Sequence, residues 1–515
     1  MAIDQQTTGS TSGSGSGRIM KTADSVFHEL TRTMCPECKD IINGEIHLTN
    51  GKVVLRKRCP AGCNDGKQWE VLISPDIEGY LDLQRYNKPG TIPLEFSTEI
   101  KDGCPYDCGL CPDHKQHACL VLIEVNTACD LACPTCFANA GPGYNIDMDD
   151  CERMLDTFVR TEAEPEAVQF SGGEPTLHPQ LFDFMKLAKA KGVRHVMVNT
   201  NGLRIARDPE WAKEFAALNP TVYFQFDGLR DETYIALRGE PLLKQKLEVL
   251  DRLAEFDLNT ILVAAIERDV NEDEIPAIIK FGLEHPAVRA VMFQPVMHTG
   301  RHLKFDPMNR VTIPEVIERI DAGMDGVFVK SDFVPVPCCH PSCQSVTYSY
   351  IDEEGGVVPL PRIVDVDEYL DYITNRTFPD LAGEVREALE GLWSSSATPG
   401  GNKLADDFCA ACADLGLFDG ESKAIAKRIF SISIKDFQDP YTFDIKKLMK
   451  CCVEIATPDG RLIPFCAYNN VGYREEVREE MMKQRARERF SRIEASNLLD
   501  KRSGKNGKGV RKNEV

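Results

Sequence analysis

The residues with the most distinctive chemistry are Cys129, Cys133 and Cys136, a C-x3-C-x2-C triplet that follows the apolar run Val121 to Val125 and precedes Phe137. Four thiolates can saturate the irons of a [4Fe-4S] cluster, whereas three on one short loop leave one iron open to a substrate or cofactor. The chain carries twenty cysteines. They cluster at metal-ligand spacings and no secretory leader precedes them, so they read as ligands kept reduced in a cytosol rather than as a disulfide framework.

Three further groups extend this chemistry. Cys35 and Cys38, with Cys59 and Cys63, form two short loops that strands could bring together as a four-thiolate site for zinc or a single iron. Cys104, Cys108 and Cys111, followed by Cys119, could hold a closed [4Fe-4S] cluster, although Cys119 could equally be a small core residue. Beyond residue 300 lie Cys338, Cys339, Cys343, Cys409, Cys412, Cys451, Cys452 and Cys466. These exceed the needs of one cluster. The preferred set is Cys338, Cys343, Cys409 and Cys412, with Cys452 and Cys466 as replacements, and at least some of the eight must be buried structural thiols.

The elements that must position these residues show in the periodicity. Short β-rich runs at Val121 to Asn126, Ala167 to Gly172, His195 to Thr200, Thr221 to Asp227, Thr260 to Ile266 and Ala290 to Val296 alternate with amphipathic stretches such as Leu181 to Lys191 and Leu242 to Phe256. Strict alternation implies parallel strands with right-handed crossovers, and six units give an open partial barrel. In such folds ligands gather at the carboxyl ends of the strands. The residues expected there are the triplet, then Ser171 to Pro175, then Asn199 to Gly202, then Gln225 and Asp227, and finally Gln294 with Arg301 a little beyond. Ahead of the barrel, Asn43-Gly44 and Asn50-Gly51 read as hairpin turns.

The expected organisation is a low-complexity leader over residues 1–18, a four-cysteine domain over 19–100, an auxiliary cluster segment over 101–120, the barrel over 121–305, a C-terminal auxiliary-cluster domain over 306–475 and a charged, helical or disordered tail over 476–515. A formal net charge of −20 argues against broad capture of nucleic acid. No run of about 18 apolar residues could span a bilayer. Lys501, Arg502, Lys505, Lys508, Arg511 and Lys512 could touch anionic headgroups at about 1 kcal/mol each, or simply be solvated.

Residues 121 to about 300 resemble the radical S-adenosylmethionine (SAM) superfamily in the triplet, the following aromatic, the Gly172-Gly173-Glu174-Pro175 turn and the six-unit order. The resemblance implies that SAM chelates the open iron. It also implies that Gly172 and Gly173 admit its methionyl part, that Glu174 and Pro175 complete that turn with Glu174 facing the ammonium, and that Phe137 borders the site. Asn199, Asn201, Gln225 and Asp227 would hold ribose or carboxylate. Arg238 would pair with the SAM carboxylate or make a surface ion pair, and the turn from Ile266 to Asn271 would lie near the adenine. One-electron reduction, from a donor such as ferredoxin or flavodoxin, would then yield a 5′-deoxyadenosyl radical that takes hydrogen from an unactivated C-H bond, with the hard chemistry carried by the cofactor.

The wider cysteine plan, with Pro337 to Cys343 and Asp459 to Asn469, resembles the archaeal tetraether lipid synthase family over residues 30 to 475. That resemblance implies C-C coupling of isoprenoid chains of diether lipids, two SAM per bond, one SAM-binding and two auxiliary [4Fe-4S] clusters, one mononuclear iron or zinc, and a cytoplasmic enzyme that visits the inner membrane face. The alternative is a radical SAM enzyme acting on a small molecule or peptide in cofactor synthesis or peptide maturation.

Overall fold

A computed structural model describes residues 24–362, apart from 163–164, 303–304, 337 and 353, together with residues 428–506. Cys409 and Cys412 lie outside the described residues.

The N-terminal region is an antiparallel meander of β1 (Ser25–Met34), β2 (Ile41–Thr49), β3 (Lys52–Lys57) and β4 (Trp69–Ser74). Its own small core contains Ile42, Ile46, Val53, Leu55, Trp69 and Val71 with Cys35 and Cys59. Asn50-Gly51 makes the β2–β3 turn with both residues left-handed, at φ 49° and 74°, as a two-residue hairpin requires. Asn43-Gly44, expected to be a second turn, instead lies within β2. A Cβ on Gly44 would come 2.9 Å from side-chain atoms of Leu55 and Thr33, so this glycine serves close packing inside the sheet rather than a change of direction.

The main body is a twelve-stranded sheet. Its centre is the expected six-unit partial barrel: β5 (Leu120–Asn126), β6 (Ala167–Gly172), β7 (His195–Thr200), β8 (Thr221–Gln225), β9 (Thr260–Ile266) and β10 (Val288–Pro295), all neighbours pairing in parallel. Helices such as Met148–Thr161, Leu181–Ala190, Leu243–Glu255 and Ile275–Glu284 provide the crossovers. Their apolar faces pack on alternate strand residues, including Val168, Phe170, Val198, Phe224, Leu262 and Phe293, to form the main core.

The C-terminal chain extends both edges of this barrel. After β11 (Val334–Pro335), β12 (Gln344–Ile351) and β13 (Val357–Pro359), β14 (Ile429–Lys435) adds in parallel to β10. β15 (Val453–Ala456) then adds in parallel to the opposite edge, on β5, with β16 (Leu462–Pro464) antiparallel outside it. The long helix Tyr473–Asn506 follows. Among the described residues no helix is long and apolar enough to cross a membrane.

The N-terminal sheet is fastened to this body through residues 436–450. Lys57, 2% exposed, donates through Nζ to the carbonyls of Met34, Pro440 and Tyr441, and Thr31 Oγ1 donates to Asp444 Oδ1 at 2.8 Å.

Candidate active site and metal centres

The triplet loop leaves the carboxyl end of β5 and is gripped by the ends of its neighbours. Gly173 N donates to Asn126 O at 2.9 Å, Glu174 N to Ala128 O at 2.8 Å, and Asn126 Nδ2 to Glu174 O at 2.9 Å. The Gly172 to Pro175 turn is thereby stitched to the residues just before Cys129. A side chain at Gly173 would collide with the backbone of Ala128 and Thr127, which is why the turn needs glycine there. Asn201 Nδ2 donates to Asp130 Oδ1 at 2.7 Å, and Thr135 Oγ1 to Leu237 O at 3.0 Å. From the far side Arg301 donates through its backbone N to Cys136 O at 3.1 Å and through Nη1 to Cys133 O at 3.3 Å.

Cys129, Cys133 and Cys136 pack around Leu131, Leu203, Tyr234 and Leu242. Backbone N-H groups of Leu131 and Ala140 point at the sulfurs of Cys129 and Cys136 at 3.4 and 3.5 Å. Three soft thiols on one loop, two of them already receiving N-H donors, are a donor set that fits an iron-sulfur cluster. Burial pushes the Cys129 thiol up to about 12, so ligation must displace protons.

Around this loop the expected residues take particular partners. Glu174 is 2% exposed. Its carboxylate accepts from Thr176 N, Thr176 Oγ1 and Thr200 Oγ1 on one oxygen and from Asn201 N on the other. Its side chain therefore braces the turn, and its burial holds the carboxyl above the usual range despite these donors. Asp227 and Arg238 pair with each other, Nε to Oδ2 at 2.7 Å and Nη2 to Oδ1 at 2.5 Å, and Arg238 also faces the Cys133 thiol. Asn199 donates to Ser171 Oγ at 3.4 Å. Phe137 meets Phe465 edge-on with ring centroids 5.6 Å apart.

Lys246 joins the site from helix Leu243–Glu255. It is fully buried and donates to Asn201 O at 2.7 Å and Gln225 Oε1 at 3.0 Å, and burial pulls its ammonium down to about 8. No motif marks this lysine in the sequence; only the packing of helix Leu243–Glu255 brings it to the strand ends.

The inner face of the barrel is layered. Met197, Tyr223 and Val263 form a small cluster with Leu120, Ile261 and Met292. Above it, Asn199, Gln225 and Gln294 are only half buried, and Gln294 Nε2 donates to Tyr223 Oη at 2.6 Å. An apolar floor beneath an amide rim suits a ligand with both ring faces and hydrogen-bonding edges.

The auxiliary cysteines divide differently from the expected grouping. Cys35, Cys38, Cys59 and Cys63 converge with their sulfurs within 4.8 Å of one another, Cys38 and Cys59 at 3.7 Å. A tetrahedral ion with sulfur ligands about 2.3 Å away separates them by about 3.8 Å, so this is the geometry of a single ion. Cys104, Cys108 and Cys111 line one pocket with Asp107, Asp113 and His114. Cys119 is not with them. It lies with Cys338 and Cys452, whose sulfurs are 3.5 Å apart, and Cys339 adjoins the group. The cause is register: Leu120 of β5 pairs with Val453 of β15, which sets Cys119 beside Cys452. Cys343 is half-buried nearby. Lys435 lies among these thiols; burial disfavours its charge, but Cys339, Cys452, Cys343 and Cys451 outweigh that and hold it protonated.

A partial (β/α)6 barrel carrying a C-x3-C-x2-C loop at its mouth, clasped by a Gly-Gly-Glu-Pro turn, defines a radical SAM enzyme. The radical SAM superfamily matches residues 123–282, and an N-terminal zinc ribbon domain of HMPTM type matches residues 27–62. The chain is 33% identical over 491 residues, 87% of its length and 95% of the relative's, to the 7,8-dihydro-6-hydroxymethylpterin dimethyltransferase of Methanocaldococcus jannaschii. It therefore belongs to the radical SAM superfamily and, within it, to the family of that archaeal protein. The GTP 3′,8-cyclase of Chlorobaculum tepidum is 31% identical over 191 residues, 36% of this chain and 57% of the relative. Among solved structures, Streptococcus suis SuiB bound to S-adenosylmethionine aligns over 41% of this chain and 48% of its own, at 14% identity and a TM-score of 0.33. SAM and [4Fe-4S] clusters are the cofactors of this superfamily, and the further cysteine groups supply auxiliary centres and the zinc ribbon. The expected tetraether lipid synthase identity is not what these relatives favour.

Proposed function

We propose that this enzyme functionalises a carbon of a small heterocycle of the pterin class, within cofactor synthesis, using SAM bound at the Cys129, Cys133 and Cys136 centre. The observation that carries this reading is the likeness, along nearly the whole chain, to a pterin dimethyltransferase. The amide rim of Asn199, Gln225 and Gln294 above the Met197, Tyr223 and Met292 floor supports it, because a pterin needs donors and acceptors at its edge and apolar contact on its faces.

The chain's own residues would perform positioning. The Gly172 to Pro175 turn and the Arg301 contacts fix the cysteine loop. The Asp227 to Arg238 pair presents a fixed charge pair beside Cys133, and Lys246 ties Asn201 to Gln225. Asn199, Gln225 and Gln294 would orient the substrate edge. When bound, the cluster and SAM supply a 5′-deoxyadenosyl radical able to remove hydrogen from an unactivated C-H bond. A low-potential donor such as ferredoxin or flavodoxin would provide the electron.

A second reading, coupling of isoprenoid lipid chains, is favoured by one observation. Ile92, Leu94, Ile100 and Tyr106 are exposed along the segment leading to Cys108, at 62%, 70%, 46% and 46%, and such a stretch could rest on a membrane. One experiment separates the two. The anaerobically cluster-loaded protein is incubated with SAM, reductant and either 7,8-dihydro-6-hydroxymethylpterin or a diether lipid. Methylated pterin with 5′-deoxyadenosine supports the first reading. SAM cleavage that leaves pterin unchanged and yields lipid lighter by two hydrogens per bond overturns it in favour of the second.

A further inference from the structure

Outside the cysteine groups, one more set of ligand-type side chains converges. Glu267 follows β9, and His298 and His302 lie on the loop after β10, with one carboxylate oxygen and one ring nitrogen of each histidine within 4.8 Å of one another. Glu267 Oε1 and His302 Nε2 are 2.9 Å apart. Two atoms of the set are buried with no hydrogen-bond partner among the described residues: Glu267 Oε2 and His298 Nδ1. His298 is only 6% exposed and stacks on Phe305. Leaving a buried carboxylate oxygen and imidazole nitrogen unmatched is destabilising, because neither recovers the hydrogen bonds it had with water. The main chain pins the loop here, His298 N donating to Asp439 Oδ2 at 3.3 Å and Val296 N to Ile266 O at 3.0 Å. The burden is therefore retained by the fold rather than relieved by a shift of the loop.

We propose that Glu267, His298 and His302 bind a divalent transition metal ion at the mouth of the barrel. Two imidazoles and a carboxylate suit zinc, ferrous iron or manganese, and a three-ligand site keeps positions open for an outside oxygen donor. Its place in the fold gives it a use. Between the two histidines, Gly300 and Arg301 pack directly on the cysteine loop, Arg301 bonding to the carbonyls of Cys136 and Cys133. An ion held by the flanking histidines would anchor an oxygen of the substrate, a carbonyl or alkoxide, at a fixed distance from the Cys129 to Cys136 centre. This role goes beyond the SAM chemistry and does not depend on which substrate is correct.

Manganese is the probe, because a four-thiolate site disfavours it whereas carboxylate and imidazole accept it. Cluster-loaded, chelator-washed full-length protein is titrated with Mn2+, free ion is followed by electron paramagnetic resonance, and Zn2+ is added as competitor. The expected result is one equivalent bound and displaced by zinc. In Glu267→Gln and in the His298→Asn, His302→Gln double variant, each retaining wild-type iron content and melting temperature, affinity should fall by more than roughly tenfold, since losses of outer-shell groups alone reach 10–100-fold. Equal Mn2+ binding by wild type and the double variant overturns the proposal. Should the variants not fold, pulsed resonance on the wild type decides: nitrogen couplings from imidazole to bound Mn2+ support the site, and their absence overturns it.

Discussion

Gly300 is the position where a single methyl group should separate positioning from chemistry. Its φ is +66°, and an added Cβ would stand 2.5 Å from the carbonyl oxygens of both Cys136 and Phe137. Ordinary van der Waals contact begins at 3.4 Å, so in Gly300→Ala the two loops must part by about 0.9 Å, an overpacking that costs about 1–3 kcal/mol. The left-handed backbone adds about 1–2 kcal/mol. Parting the loops stretches the bond from Arg301 N to Cys136 O, 3.1 Å long, and shifts the cysteines relative to the Gly172 turn. A misplacement of about 1 Å can cost about 10²-fold in rate. The assay is 5′-deoxyadenosine formation under reduction, read beside iron content and melting temperature. Gly326→Ala is the control: its φ is +81° with nothing within 4 Å of the new Cβ, so it should lose only the backbone share of stability and keep full activity. If Gly300→Ala, fully loaded with iron, forms 5′-deoxyadenosine within about threefold of wild type, the loops are not coupled as argued.

Three other outcomes follow from the same geometry. Cys38→Ser should release one metal equivalent and lower the melting temperature of the N-terminal sheet while the iron of the Cys129 centre is retained; an unchanged metal count would refute the single-ion assignment made from the 3.7 Å sulfur separation. Lys246, fully buried with its ammonium pulled down to about 8 from 10.5, must carry its charge in the folded state below pH 8, a penalty of roughly 3 kcal/mol that fades between pH 8 and 10.5 as the folded lysine stays neutral and the unfolded one still binds a proton. Urea unfolding should therefore show wild type gaining stability relative to Lys246→Met across that window, and parallel curves would refute it. Arg474, 3% exposed, pairs with Glu124 at 2.6 Å; Arg474→Met should cost about 3–5 kcal/mol by stranding that carboxylate, and adding Glu124→Gln should recover much of the loss, both read by thermal unfolding.

The barrel was legible because its strands are β-branched runs spaced by amphipathic helices, patterns that local sequence carries in full. Three strands, at Ala167–Gly172, His195–Thr200 and Thr260–Ile266, fall at the expected bounds, and the cysteine loop and glycine turn follow their strands as expected. What local sequence does not carry is pairing at long range. Cys119 stands near Cys111 in the chain, yet β15 places Cys452 against it, and nothing near residue 119 announces that partner. Gly44 after Asn43 has the composition of a turn, but the crowding of Leu55 and Thr33 decided its role. His298 and His302 sit in no motif, and they meet Glu267 because the strand ends converge; Lys246 reaches Asn201 and Gln225 only through the packing of its helix.

That convergence also explains why the C-terminal chain matters to the barrel. Between β14 on one edge of the barrel and β15 on the other, residues 436–452 touch the His298 loop, the four-cysteine sheet and the Cys338 group in turn. Asp439 accepts from His298 N and from Arg310 Nη1, both at 3.3 Å. Pro440 and Tyr441 accept from Lys57 of the four-cysteine domain, at 2.8 and 2.7 Å. Cys452 closes on Cys338 at 3.5 Å. A rigid connector with buried polar contacts at each stop fixes the auxiliary centres relative to the mouth, because moving any one of them would strand a buried charge or hydrogen-bonding group. The N-terminal ribbon is therefore fastened to the same connector that holds the His298 loop, and its distance from the cysteine triplet in the chain does not make it a detached module.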